Sequence, residues 1–116
     1  MQVSINNSQP IPLANPGLNR YTRRVKFEWN PRKAAENFRT HKVSFNEAAT
    51  VFGDSLSATA SDPDHSVEER RSITIGLSNR GRLLMVAHAE NRERIRIISA
   101  RSLTRSERKA YEETQK

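Results

Sequence analysis

The chain has no cysteine and no long apolar run, and each absence excludes a class of protein. Without cysteine there is neither a disulfide framework nor a thiolate metal site. The longest apolar run, Leu83 to Ala87, is far shorter than the ~20 residues that a helix needs to cross a bilayer. The N-terminus also lacks the charged, apolar and small-residue blocks of a secretory signal. We therefore expect a soluble protein of the reducing cytoplasm.

The length and the charge distribution limit what the protein can do. With 116 residues there is room for one domain with a modest core. Residues 25–69 carry five basic and eight acidic side chains, whereas residues 70–109 carry eleven basic and three acidic ones. Most of the eleven are arginine, whose planar fork suits phosphate oxygens, so the sequence favours RNA or DNA over a membrane as a partner. The alternative is a solvated arginine face that pairs with the acidic half.

Composition divides the chain into an arm and a domain. Residues 1–24 are rich in Asn, Gln, Ser and Pro and contain no acidic residue. Such a segment cannot bury enough apolar surface to offset the entropy that it would lose on ordering. We predict that residues 1–24 are a disordered arm and that residues 25–116 form the folded domain.

Local patterns predict a strand and two helices at the start of this domain. Alternation over residues 25–29 indicates a short strand. Asn30 as the cap and Pro31 in the first turn predict a helix through about His41, whose inner stripe would be Ala34, Ala35 and Phe38 and can include His41. Ser44 and Glu47 form a capping box that predicts a second helix. Its buried face and its left-handed exit would be formed by Phe45, Ala48, Ala49, Phe52 and, for the exit, Gly53.

The second half of the domain has the period of two that is typical of strands. Leu56–Asp62 indicates a weak edge strand. From Arg70 onward, Ile73, Ile75 and Leu77 fall on one face, and two turns then predict an antiparallel meander. Thr104 and Glu107 form another capping box that begins a marginal last helix. The predicted fold class is α+β: a three- to four-stranded antiparallel meander plus the N-terminal strand, two helices packed on one face, and a C-terminal helix.

Several separated blocks of the sequence, in order, resemble the BrnT toxin family. The resemblance covers about residues 25 to 113, outside the arm. The blocks are Phe27–Asn37, His41–Ala48, Val51–Asp54, Glu69–Arg70, Ile75–Gly76, Gly81–Leu84, Arg96–Arg101 and Glu107–Glu112. The sequence departs from the family at Asn30, where Asp is usual, at Lys42, where Gly commonly follows the histidine, and at Ser55, where Pro is common.

The resemblance implies a fold and a biological role. The fold would be a compact domain like the RelE ribonucleases, with an RNA-binding face on a curved antiparallel sheet. The role would be that of a type II toxin that cleaves RNA and so inhibits translation and growth. The implied partner is a BrnA-like antitoxin with a ribbon-helix-helix part, and promoter DNA would be contacted only through that antitoxin.

Cleavage of RNA without a metal needs a base for the ribose 2′-hydroxyl, positive charge at the phosphate, and an acid for the leaving oxygen. We assign the charge to Arg96 and Arg101, with ion pairing to Glu69, Glu93 or Glu107 as the alternative reading. His41 is the candidate base, against a histidine that only ends its helix. Glu69 is a second candidate base.

Further basic residues are candidate RNA ligands: Lys33, Arg70, Arg82, Arg94, Arg105 and Arg108. Of the other histidines, His65 sits in a predicted turn, and His88 is expected to be a core histidine of the central strand. No metal-ligand spacing and no glycine-rich nucleotide loop occur, so neither a metal nor a cofactor is expected. Two other functions remain open: a nucleic-acid-binding module that does not cleave, and a module whose basic face only binds an acidic antitoxin.

Overall fold

The computed structural model describes residues 3–4, 25–61, 70–91 and 93–114. It contains a mixed sheet in the order β1-β2-β6-β5-β4-β3, in which β2 and β6 are parallel and the other neighbours are antiparallel. The elements are β1 (Val3–Ser4), β2 (Lys26–Trp29), α1 (Pro31–His41), α2 (Phe45–Thr50), a 3-10 helix (Val51–Gly53), β3 (Ala58–Ser61), β4 (Arg71–Leu77), β5 (Leu83–Asn91), β6 (Arg94–Ser102) and α3 (Arg105–Thr114). The predicted α+β class, meander and three helices are confirmed.

The core lies between the sheet and the α2 segment. Phe45, Ala48, Ala49 and Phe52 are all buried, as their helical spacing predicted. Their ring contacts lead to β2, because Phe52 lies 5.4 Å from Phe27 between ring centroids and Phe45 lies 5.6 Å from Trp29. Full burial of each such side chain stabilises the fold by about 1.5–3 kcal/mol.

The predicted inner stripe of α1 is wrong. Phe38 is 51% exposed, Ala35 and His41 are also exposed, and only Ala34 packs partly against the core. The buried residue of α1 is instead Asn37. Its amide accepts from the Ala100 N–H (3.0 Å) and donates to the Ala100 carbonyl (2.8 Å). The helix is therefore attached to β6 by a polar contact, which hydrophobic periodicity cannot reveal.

The strand faces alternate as predicted, but the apolar face of β4 is not the one that the helices cover. Thr74 and Gly76 are buried, whereas Ile73 and Ile75 are half-buried and Leu77 is 47% exposed. Packing decides this orientation, because a Cβ on Gly76 would lie 2.9 Å from both Val51 Cγ1 and Ser57 Cβ. Only a glycine allows the 3-10 helix to lie so close to β4.

The helix starts are confirmed and two helix ends differ from expectation. Asn30 Oδ1 accepts from the N–H of Arg32 (2.8 Å), and Ser44 Oγ accepts from the N–H of Glu47 (3.0 Å). Gly53 does not make the predicted left-handed exit, because the chain continues there as a 3-10 helix. Lys42 instead adopts the left-handed conformation at the end of α1, with φ at 59°.

The first two described residues belong to the arm that was predicted to be disordered. Val3 and Ser4 pair antiparallel with Trp29 and Glu28. The rest of the arm lies outside the described residues, as does the predicted turn at residues 62–65. Within the described part of the chain, no helix is long and apolar enough to cross a membrane.

Candidate nucleic-acid interface

One face of the sheet is left open by α1 and α2, and most of its cations belong to β2 and β6. We call it the open face, defined by the residues that alternate with the buried positions of each strand. It comprises Lys26, Glu28, Arg71, Ile73, Ile75, Leu77, Leu83, Met85, Ala87, Ala89, Asn91, Arg94, Arg96, Ser99 and Arg101. The candidate catalytic arginines Arg96 and Arg101 and the candidate RNA ligand Arg94 thus share one side of the molecule.

The cations cluster at the end of the open face where β2 begins. Lys26 pairs in register with Arg94, and Glu28 pairs with Arg96. Arg94 Nη1 lies 3.1 Å from Glu28 Oε1, but its side chain is still 59% exposed. Lys26 and Arg94 also line a hollow of about 490 Å³ together with Asn91 and Glu93. This end therefore offers solvent-accessible positive charge beside an open cavity.

Arg101 lies towards the other end of the same face and is held by α3. Its guanidinium donates to both carboxylate oxygens of Glu107, at 2.8 and 2.9 Å. That contact, together with the Thr104 N–H, lowers the pKa of Glu107 to about 2 and raises the pKa of Arg101. The sequence left two roles open for Arg101, charge stabilisation at the phosphate or ion pairing, and the structure shows the ion pair with Glu107.

A β-bulge separates Arg96 from Arg101 along β6. Ala87 pairs with Ser99 and His88 pairs with Ile97, so the register shifts at Ile98. Because of this bulge, two residues instead of one separate the buried Ile97 from the buried Ala100. At about 3.3 Å per residue, the Cα atoms of Arg96 and Arg101 lie on the order of 15 Å apart, at opposite ends of the face.

His41 and Lys33 come together elsewhere. Both are exposed side chains of α1, the helix that binds the backbone of β6 through Asn37. They line a hollow of about 280 Å³ beside β6, together with Glu36, Asn37, Thr40 and Ile98. The structure therefore brings the candidate base and one candidate RNA ligand into one hollow, and Arg94, Arg96 and Arg101 are not among the described residues that line it.

Arg82, a candidate RNA ligand, forms an ion pair with the buried Glu47. Its Nε lies 2.9 Å from Glu47 Oε2, its Nη2 contacts Glu47 Oε1, and the same Nη2 donates to the Lys42 carbonyl at 3.1 Å. The pKa of the buried Glu47 carboxyl is lowered, chiefly by this hydrogen bond with Arg82. Glu47 thus binds the β4–β5 turn instead of reaching back to the cap at Ser44, and only half of that predicted capping box forms.

The remaining predicted site residues are spread over the surface. Arg70 is exposed just before β4, and Arg105 and Arg108 are exposed on α3. Glu69 and His65 lie outside the described residues. His88 is fully buried, as expected for a core histidine, with its Nε2 2.8 Å from Thr74 Oγ1 and its ring edge-on to Phe52.

The comparison with protein families decides the class of this protein. A family model described as the ribonuclease toxin BrnT of type II toxin–antitoxin systems matches residues 29–107. The chain belongs to the BrnT family. A search of the curated proteins found no match. Membership of the BrnT family implies that the substrate is RNA and that the partner is an antitoxin. The matched residues include the candidate cations of α1, β6 and the first turn of α3.

Proposed function

We propose that this BrnT protein is an endoribonuclease that binds RNA on its open face and cleaves it without a metal. The observation that carries the proposal is the group of cations at one end of that face, where Lys26 of β2 lies in register with Arg94 of β6 and Arg96 follows on the same face of β6, opposite Glu28. Two guanidinium groups on one strand face, beside an ammonium group on the next strand, are preorganised to hold phosphate oxygens. The BrnT family match supplies the substrate class.

The proposed reaction is an internal transfer of the phosphodiester. The ribose 2′-oxygen forms a bond to phosphorus, the bond to the 5′-oxygen breaks, and the products are a 2′,3′-cyclic phosphate and a 5′-hydroxyl. Arg94 and Arg96 would stabilise the charge that accumulates on the phosphate. A base takes the 2′-hydroxyl proton, and an acid returns one to the leaving oxygen. His41 and Glu69 are the candidates for these proton transfers.

Arg101 would join the site once an RNA phosphate displaces its carboxylate partner, Glu107. Phosphate and carboxylate compete for the same planar fork. The Arg101–Glu107 pair is about one third exposed on each side, so solvent weakens it. In this proposal an RNA phosphate replaces Glu107 on Arg101, and the track of bound phosphates then runs along β6 from Arg94 to Arg101.

The finer features of the BrnT family belong to the same proposal. The sheet with an open basic face is consistent with a RelE-like ribonuclease fold. We propose a BrnA-like partner with a ribbon-helix-helix part, which would neutralise the toxin and carry the complex to promoter DNA. Cleavage of RNA in the cytoplasm would stop translation and growth.

A second candidate is a module that binds nucleic acid without cleaving it. Its support is that His41 lines a hollow in which neither Arg94 nor Arg96 takes part, so that no hollow lined by the described residues combines the candidate base with these arginines. This candidate predicts RNA binding that weakens steeply with salt and leaves the RNA intact.

The two candidate functions predict different products when the protein is incubated with RNA. Purified protein, dialysed against a chelator, is incubated with an end-labelled RNA and with the same RNA carrying 2′-O-methyl groups. We expect cleavage of the first RNA only, with 2′,3′-cyclic phosphate ends, because the methyl group removes the nucleophile. Intact RNA that is nevertheless bound supports the binding module, and cleavage of the methylated RNA rules out attack by the 2′-oxygen.

A further inference from the structure

A polar hollow lies on the helix side of the sheet, at the edge formed by β3 and β4, and no sequence motif pointed to it. We call it the hydroxyl hollow. It measures about 360 Å³ and is lined by Thr59, Ser61, Arg70, Arg71, Ser72 and Glu90. Strand register builds its floor, because Ser61 lies opposite Ser72 and Thr59 lies opposite Thr74, so that the hydroxyls of two strands share one face.

The floor is held in place from beneath. Thr59 Oγ1 lies 2.7 Å from Thr74 Oγ1, and Thr74 Oγ1 lies 2.8 Å from His88 Nε2. Thr74 and His88 are both fully buried, and the His88 ring packs edge-on against Phe52 at 4.8 Å. A chain of hydrogen bonds thus runs from the core to the hollow and fixes the position of the Thr59 hydroxyl.

The walls of the hydroxyl hollow carry opposite charges. Arg70 is exposed and supplies positive charge, and Glu90 supplies one carboxylate, whose Oε2 lies 3.8 Å from Nδ1 of the buried His88. Arg71 also lines the hollow, but the alternation of β4 places its side chain with the open face. Guanidinium groups bind phosphate oxygens, hydroxyl groups both donate and accept, and a carboxylate accepts from sugar hydroxyls or from base amino groups. A group with a phosphate at one end and hydrogen-bond donors at the other satisfies all three, and a nucleotide is such a group.

The hydroxyl hollow also lies close to the basic end of the open face. Arg71 begins β4 directly opposite Ala89, and Ala89 lies opposite Arg96. The two places are therefore separated by the width of two strand spacings, about 10 Å. A single strand that occupies the basic end of the open face can continue over the end of β4 and β5 into the hollow.

We propose that the hydroxyl hollow binds one nucleotide of the RNA substrate, with its phosphate at Arg70 and its sugar or base against Ser72 and Glu90. The choice of RNA as the ligand rests on the proposed function. The site itself would be a second contact that holds the RNA strand outside the cleavage centre, and it would lengthen the segment of RNA that the protein recognises.

The test is a titration of the full ¹⁵N-labelled chain with adenosine 5′-monophosphate, followed by amide chemical shifts. We expect saturable shifts concentrated at Thr59, Ser61 and Ser72. Substitution R70A should weaken the dissociation constant by about tenfold, because a hydrogen bond to a charged group contributes about 1.5–3 kcal/mol. Adenosine, which has no phosphate, should bind at least tenfold more weakly than the monophosphate.

The charge-matched control is R80A, which removes an exposed arginine from the β4–β5 turn, outside the hydroxyl hollow. This substitution should leave the dissociation constant of the monophosphate unchanged. Equal weakening by R70A and R80A, or shifts confined to other parts of the chain, would overturn the proposal. Because the titration needs no cleavage, a protein that binds the monophosphate here but leaves RNA intact refutes the nuclease and not the nucleotide site.

Discussion

Asn37 shows how one polar side chain can complete a sheet. β2 pairs with β6 only through Lys26–Glu28 among the described residues, and the later part of β6 would otherwise expose its backbone on that side. The Asn37 amide binds both the N–H and the carbonyl of Ala100, and it also donates to the Val43 carbonyl at 3.0 Å. The amide therefore acts as the peptide group of a missing neighbouring strand.

The change N37A should destabilise the protein by about 3 kcal/mol, because it leaves buried backbone groups without partners at about 1–3 kcal/mol each. Denaturant unfolding of both proteins measures the difference. The matched control is E36A on the exposed side of the same helix, which should change the free energy of unfolding by less than about 0.5 kcal/mol. A loss below about 1 kcal/mol for N37A would show that the amide contacts are dispensable.

Lys42 has a structural role that depends on its backbone conformation. Its φ of 59° is the left-handed region, in which a side chain costs about 1–2 kcal/mol and glycine costs almost nothing. We expect K42G to stabilise the fold by about 0.5–1 kcal/mol, since the larger freedom of glycine in the unfolded chain offsets part of the gain.

Thermal unfolding of K42G and K42A separates backbone strain from the loss of the lysine charge. Alanine keeps a Cβ at the left-handed position, so K42A should show no increase in melting temperature. An equal increase for both variants would mean that removal of the charge, and not relief of strain, is responsible.

At the scale of elements, two ion pairs join helices to the sheet or to its turns. The Glu47–Arg82 pair joins α2 to the β4–β5 turn, and the Glu107–Arg101 pair joins α3 to β6. α3 has no buried residue, and a second attachment is the Tyr111 hydroxyl, which donates to the Leu56 carbonyl at 2.8 Å. The α3 helix is therefore the element that detaches most easily.

Acid should weaken the attachment of α3. The folded-state pKa of Glu107 is lowered to about 2, below the usual value, so its contribution to stability is fully present above about pH 4.5 and is lost as the pH falls towards 2. We expect E107Q to lower the melting temperature at pH 7 and to have little further effect near pH 2. An unchanged difference between the two proteins across this range would contradict the role of the Glu107 charge.

How far the sequence predicts the structure depends on the range of the interaction. The cap at Asn30, the buried face of α2 and the meander follow from neighbouring residues, and all were predicted. The partner of Arg82 is 35 positions away in Glu47, and the covered face of β4 depends on the close approach of Val51 to Gly76. Such contacts are decided by tertiary packing, which local patterns do not contain.

The same difference between local and long-range information applies to the candidate site. Arg94 and Arg96 are two residues apart, a spacing that puts both on one face of a strand, and the BrnT resemblance supplied the class of activity. The hydroxyl hollow escaped detection because serine and threonine in a strand have no distinctive spacing, and it forms only when β3, β4 and β5 are in register. His41 was predicted as a site residue because it belongs to one of the blocks that resemble the family, and α1 places it in a hollow with Lys33 instead of with Arg94 and Arg96.

At the scale of the whole molecule, the two faces of the sheet have different tasks. One face is covered by α1 and α2 and forms the core, and the other combines a half-buried aliphatic centre with cations on β2 and β6. We propose that RNA is bound and cleaved on this second face, the open face. Each phosphate contact that a substitution removes should lower the slope of log affinity against log salt by about 0.7 for a single strand.

The most direct test compares the double variant R94A/R96A with the double variant R39A/R80A. Each removes two arginines, the first pair from the open face and the second pair from α1 and the β4–β5 turn. The measurement is the rate of RNA cleavage at matched salt, with folding checked by circular dichroism. We predict a loss of about 10²-fold or more for R94A/R96A and a rate within twofold of the unaltered protein for R39A/R80A. Equal rates for the two variants would contradict the claim that the open face is the site of cleavage.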